Sequence, residues 1–350
     1  MTAADMARLR RSLALPGAAG AIVLAAAALL DFLIPRAAIP AYRFALFACL
    51  QPALGSLIFR LIHRITRGQW GEALGPFLDA GVRLVPWIWL LAIPLVFSPA
   101  ARPPQSGPLP PGTGAWALFL KALLYEAIFL LLRRVALRES LHRWAAPGLI
   151  LLVLTLHVLA ADWFFTLDPG WYSTAFPIVW MSVMAVAGLA LAVALAPAGG
   201  CDPSRPGSAG RPLGQDFGNL LMTAVIFSTY LCFMQFLIIW MGDIAREISW
   251  FQRRDAWGWE ALVGALALFH LGLPLALLLS RGLKSSRLGV ARVGAVLCAA
   301  QIGWAAWFIL PAFAGRGVWL PPLSALFLAG GAGLFLNRYA AAANAAVIRT

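Results

Sequence analysis

"PGLILLVLTLHVLAADWFFTLDPGWYSTAFP", residues 147–177, begins with a run of apolar residues over 147–165 that only His157 and Asp162 interrupt. A helix rises about 1.5 Å per residue, so such a run is long enough to cross a hydrocarbon core of about 30 Å. The run lacks the strict polar–apolar alternation that a barrel strand needs, and lipid offers no partner to unpaired backbone groups, so a helix is the only sensible reading. The second part, "DWFFTLDPGWYST" at 162–174, is aromatic and acidic and holds neither Lys nor Arg.

The rest of the 350 residues repeats the pattern. Hydrophobic residues make up 61% of the chain and the mean hydropathy is +0.82, which no water-soluble surface allows. Apolar windows predict an all-α bundle of about ten transmembrane spans, near 16–34, 44–62, 82–98, 115–136, 147–165, 176–198, 217–241, 259–280, 289–310 and 319–336. The run at 16–34 is too long for a secretory h-region and lacks a small-x-small cleavage site, so it reads as an uncleaved first span. The whole chain, 1–350, reads as one integral membrane domain, with sub-bundles 1–198 and 217–350 joined by the polar loop "GGCDPSRPGSAGRPLGQD" at 199–216. That loop and "PAARPPQSGPLPPGTG" at 99–114 read as extended or mobile connections.

A formal net charge of +13 would suggest nucleic acid in a soluble protein, but the cations stand in short loops between apolar runs. Their roles are orientation and anionic-lipid contact, with no nucleic-acid partner. With ten spans, nineteen basic residues fall on the side of the termini and seven on the other, so both termini are expected in the cytoplasm. In a bacterium this is the inner (cytoplasmic) membrane, and residues 162–175 then lie on its outer side. The four cysteines, Cys49, Cys201, Cys232 and Cys298, form no CxxC, and no metal or covalent haem site is expected.

Ionisable groups within spans cost about 2.5–3.5 kcal/mol on insertion scales, so each is a candidate for function. Glu126, His157 and His270 fall near the centres of their spans. Asp162 follows His157 by five residues, about 7.5 Å along one helix. With Tyr230 and Gln235 as polar companions, Glu126, His157, Asp162 and His270 are candidates for a proton pathway; the competing reading is interhelical hydrogen bonding. Lys121 suggests an ion pair with Glu126 or with another helix. A single haem between His157 and His270 is a weaker alternative. Asp168, Trp171, Asp243 and Glu247 are candidates for a docking surface or the rim of a quinol site, with Asp168 also a candidate cap for its Pro-Gly turn. The segment "WMGDIAREISWFQRRDAWGWE" predicts an interfacial helix held by tryptophans.

Two stretches resemble a known family. "DWFFTLDPGWYST" is similar to D-W-x-x-S-L-D-P-x-W-(F/Y)-S-T, and "DFGNLL" at 216–221 with "YLCFMQFLIIW" at 230–240 is similar to D-(L/F)-G-N-L-L and Y-x-x-F-x-Q-F-L-I-I-W. These are motifs of the F subunit of bacterial alternative complex III, a quinol:cytochrome c oxidoreductase, related to NrfD/PsrC-type quinone-interacting membrane subunits. After Trp240 the family reads Y-x-N-(I/L)-P-E-E, whereas this chain has Asp243, Ala245 and Arg246 at the Asn, Pro and first Glu positions. The resemblance implies a subunit of the respiratory chain that binds no cofactor itself apart from a quinol in an alternative reading. It implies a sister ten-helix quinol-binding subunit, an iron–sulfur protein and haem c proteins as partners, with a terminal oxidase as a further partner and lipids around the bundle. A secondary transporter is the reading from another class, without support from an internal repeat.

Overall fold

A single helix, Phe176–Leu195, holds the centre of the computed structural model, which describes residues 11, 18–20, 22, 35–98, 114–168, 170–207, 210–255, 258–314 and 320–347. The helices are α1 (Pro35–Thr66), α2 (Gln69–Ala73), α3 (Gly75–Leu90), α4 (Ile93–Phe97), α5 (Ala115–Leu137), α6 (Ala145–Trp163) and α7 (Phe176–Leu195). They continue as α8 (Leu213–Gly242), α9 (Ala245–Gln252), α10 (Trp259–Leu266), α11 (Leu273–Leu279), α12 (Arg281–Ser285), α13 (Gly289–Ile309) and α14 (Leu320–Val347). No strand occurs among the described residues, and nine segments there are long and apolar enough to cross a membrane. The expected span 16–34 lies almost wholly outside the described residues; Gly20 within it packs against Gly330 and Leu334 of α14.

α7 carries no charge and is apolar on every side, as a helix surrounded by others must be. In its most apolar window 78% of the residues are buried, against 22% in α8, which places α7 inside and α8 at the margin. α1 and α13 flank α7; α3 and α14 pack on α1, α5 and α6 close one side, and α8 with α10 to α12 closes the other. α1 and α7 cross at Gly55 and Gly188, where backbone meets backbone: a β-carbon on Gly55 would lie 1.8 Å from the Met184 carbonyl oxygen. Small residues permit this approach, and dispersion at such a seam replaces the hydrophobic drive that lipid does not supply.

The helices outrun the expected spans for electrostatic reasons. The third span, expected over 82–98, begins at Gly75, because Asp79 is neutralised by Arg60 of α1 at 2.7 Å and need not lie outside the bundle. The last runs past 336 to Val347. Arginines also close helix ends, whose final carbonyls have no intrahelical partner. Arg43 donates to the carbonyl of Trp163 at the end of α6. Arg64 donates through Nε to Ala136 near the end of α5 at 2.9 Å, and Arg254 reaches Trp307 and Phe308 near the end of α13 at 3.0 and 3.3 Å.

The two ends of the bundle differ in chemistry. One, the aromatic end, carries residues 163–168, 170–175 and 243–255. At the other, Arg64 and Arg67 bind Glu139, and the 199–216 segment folds back on itself. There Gly207 donates to the Arg211 carbonyl at 2.7 Å and Leu213 to that of Arg205 at 3.0 Å, so the described residues on either side of 208–209 fold back on one another. Ser204 donates to Asp202 from its backbone N–H and its hydroxyl, holding that carboxyl below its usual pKa. This contribution is complete above the ordinary carboxylate range and is lost as pH falls through the depressed value.

Candidate functional site

The aromatic end gathers most of the singled-out residues. Asp162, in the last turn of α6 and buried, accepts from Lys121 Nζ at 2.6 Å and from Tyr125 Oη at 2.5 Å, both on α5. Tyr125 follows Lys121 by four positions, so they lie one above the other on one helix face and grip both carboxylate oxygens. The ion pair expected of Lys121 is therefore made with another helix. Trp89 closes the group by its edge contacts with Tyr125 and Trp163 and its indole bond to the Ala122 carbonyl.

Residues 164–168 and 170–176 lock onto the segment that follows α8. The rings of Trp171 and Trp250 stack at 5.1 Å, and Trp171 Nε1 donates to the Glu247 carbonyl at 3.1 Å. Arg253 pairs with Asp168, while Arg246 donates to the Gly170 carbonyl and lies over the Tyr172 ring at 5.0 Å. The turn at 168–171 closes through the Asp168 carbonyl, which accepts from Trp171 N–H at 2.9 Å. Its carboxylate goes instead to Arg253, so the side chain does not cap the turn as expected. Arg254 lies 3.4 Å from the centroid of Trp250 and donates to three carbonyls. Burial lowers its pKa, and the charge of Asp168 opposes this.

Asp168 and Trp171 are thus buried within the cap, whereas Asp243 is exposed and Glu247 half-exposed. Asp243 adopts a left-handed conformation, φ 46° and ψ 34°, at the end of α8. Asn and Asp tolerate this region better than other residues with side chains. Ala245 is the first residue of α9 and follows Ile244 in an extended conformation (φ −85°, ψ 111°). Pro suits a first helical position after an extended residue. Ala245→Pro is therefore expected to stabilise the chain by about 0.4–1 kcal/mol, read as a raised melting temperature in detergent.

The second motif stretch has its own structural task at the opposite end. Gly218 leaves space for the Lys284 stem, and Asn219 Oδ1 accepts from Lys284 Nζ at 2.7 Å.

His270 and Gln235 come together in a cavity of about 690 Å³ bounded by α7, α8, α10 and α13 beneath α9. His270 stands in a π-helical turn, Ala267–Gly272. Pro274 has no N–H to give the His270 carbonyl four residues earlier, a local cause for the widened turn. Gln301 Nε2 lies 2.9 Å from His270 Nδ1.

The other candidates lie elsewhere. Glu126 is half-buried on α5 with one carboxyl oxygen unpartnered. His157 lies on the outward stripe of α6 beside the exposed Val153, Leu154 and Val158, and Tyr230 is exposed on α8. Hydrogen bonds among the described residues do not link Glu126, His157, Asp162 and His270 to one another. His270 lines the cavity beside α8, α10 and α13, whose lining does not include His157.

No family model matches the chain, and no curated protein matches it. Sequence reading missed Tyr125, Trp89 and Arg254. Tyr125 and Trp89 resemble any interfacial aromatic until the fold sets them beside Asp162. Arg254 is one of two adjacent arginines, and only the structure separates the buried one from the one paired with Asp168.

Proposed function

We propose that this chain is a membrane-integral subunit of a bacterial quinol:cytochrome c oxidoreductase of the alternative complex III type, with both termini cytoplasmic and the aromatic end outward. The observation that carries the reading is the use made of "DWFFTLDPGWYST": its acidic and aromatic positions bind α5 and the loop after α8 into one cap. A cap of this kind presents a rigid ledge at the membrane surface, with Trp240, Met241, Ile244 and Asp243 exposed on it. Rigid ledges suit docking of subunits that hold haem c and iron–sulfur clusters, because little ordering entropy is lost on association.

A proton route is the finer part of the proposal, and we confine it to the candidate Asp162 with its hydrogen-bonded partners Lys121 and Tyr125. Purification of the tagged chain from native membranes tests the main reading. Co-elution with haem c absorbance and quinol:cytochrome c activity is expected; a chain that elutes alone and drives solute uptake in liposomes would instead mark a transporter.

A further inference from the structure

The cavity beneath α9 has an acidic mouth and a polar interior. Asp255 and Glu260 line it and are exposed, and neither carboxylate has a partner among the described residues. Further in, His270 is 2% exposed and Gln235 6% exposed, and His270 Nε2, Trp304 Nε1 and Gln235 Oε1 are buried without a hydrogen bond. Each such atom costs about 1–3 kcal/mol, so together they point to an occupant. Because the Gln301 amide donates to Nδ1, the proton of a neutral His270 sits on Nε2. The interior therefore offers two N–H donors, from His270 and Trp304.

The depth of these donors narrows the choice of ligand. Trp304 precedes Ile309, the last residue of α13, by five positions, which puts it about 7.5 Å below that end of the helix. The ring of His270 meets that of Trp304 at 5.8 Å and shares its level. A bilayer of about 40–45 Å around an apolar core of about 30 Å leaves a headgroup zone about 5–8 Å deep on each side. The two N–H groups thus stand just beneath the headgroups, at the level of phospholipid ester carbonyls. Phe233, Phe236 and Val263 are exposed at the rim and open the cavity sideways to acyl chains.

The charges select the headgroup. Two carboxylates and one guanidinium, that of Arg254, line the cavity, so an anionic headgroup meets net repulsion and a zwitterion finds both signs. Arg254 donates to three carbonyls and keeps two of its five N–H groups. A primary ammonium brings three N–H donors to the carboxylates, which a choline headgroup lacks. We infer that this cavity holds a phosphatidylethanolamine, with its ammonium between Asp255 and Glu260, its phosphate at Arg254 and its ester carbonyls accepting from His270 Nε2 and Trp304 Nε1. Gln235 Oε1 suits a water carried in with the ester groups. A lipid held in this way braces α8, α9, α10 and α13 against one another. The inference requires only that the aromatic end meets a membrane surface, and it is independent of the subunit reading.

The test uses the full chain in phosphatidylcholine nanodiscs doped with phosphatidylethanolamine brominated on its acyl chains. Quenching of tryptophan emission is followed, since Trp250, Trp304 and Trp307 line the cavity. Saturable quenching is expected, with half-saturation at about a tenfold lower mole fraction than for brominated phosphatidylcholine. Asp255→Asn combined with Glu260→Gln is expected to abolish that preference. Both side chains are exposed, so the double variant is expected to melt with the parent, which separates lost selectivity from poor folding. His270→Leu is expected to weaken binding about fivefold while the preference for ethanolamine over choline survives, because it removes a donor to the ester groups and leaves the mouth intact. Asp162→Asn is expected to change neither. Equal quenching by the two lipids in the parent, or a preference that persists in the double carboxylate variant, would overturn the inference. Stronger quenching by brominated phosphatidylglycerol would do the same, since the site would then select anions.

Discussion

Lys121→Met is expected to destabilise the bundle by about 3–5 kcal/mol, and Asp162→Asn by only about 1–3 kcal/mol, although each removes one end of the same ion pair. The asymmetry comes from exposure. The Asp162 side chain is 5% exposed and that of Lys121 34%. Without Lys121 the carboxylate is left buried with only the Tyr125 hydroxyl. Without the carboxylate, the ammonium can extend along its stem towards water or headgroups, and the Asn oxygen still accepts a hydrogen bond. Lys121→Met combined with Asp162→Asn is therefore expected to be more stable than Lys121→Met alone. Thermal melting of the purified chain reads this directly, and an Asp162→Asn variant that melts as low as Lys121→Met would sink the explanation. In the complex proposed above, the same pair would test the proton route. If Asp162 carries protons, Asp162→Asn loses proton coupling by far more than its modest loss of stability would account for; retained coupling limits the residue to holding α5 against α6.

What the sequence alone made legible follows the same division between patterns and partners. The apolar run at 147–165 announced a helix close to the observed Ala145–Trp163, because hydrocarbon leaves the backbone few alternatives. The start of α3 is not legible: a window from 82 leaves Asp79 outside, and only the fold brings Arg60 alongside Asp79. The lack of Lys and Arg at 162–174 was read as orientation. The structure adds a local reason, since the segment accepts cations from elsewhere: Lys121 at Asp162, Arg253 at Asp168 and Arg246 at the Gly170 carbonyl. Asp162 and His270 were both marked as polar residues in apolar runs. The sequence could not say that one is bound by two donors while the other turns an unpartnered nitrogen towards a cavity. Such differences depend on which helices are neighbours, and a single chain's periodicity does not carry that information.

Glycine makes the same point about neighbours in a form that a melting curve can measure. Gly→Ala within a helix ordinarily stabilises by about 0.5–1 kcal/mol, because alanine has less backbone freedom to lose. At Gly264 in α10 a β-carbon would meet nothing within 4 Å, and Gly264→Ala is expected to follow that rule. At Gly188 a β-carbon would lie 2.2 Å from the carbonyl carbon of Gly55 and from Ser56 N, both backbone atoms with no rotamer to move. Gly188→Ala is therefore expected to destabilise by about 3 kcal/mol or more, at the upper end of overpacking costs, and Gly188→Leu to prevent recovery of folded chain. The reversal of sign between two helical glycines isolates the α1–α7 seam, since intrinsic propensity is the same at both. A Gly188→Ala protein that melts at or above the parent would mean that α1 and α7 do not meet at Gly55 and Gly188, and the central position of α7 would fall with that contact.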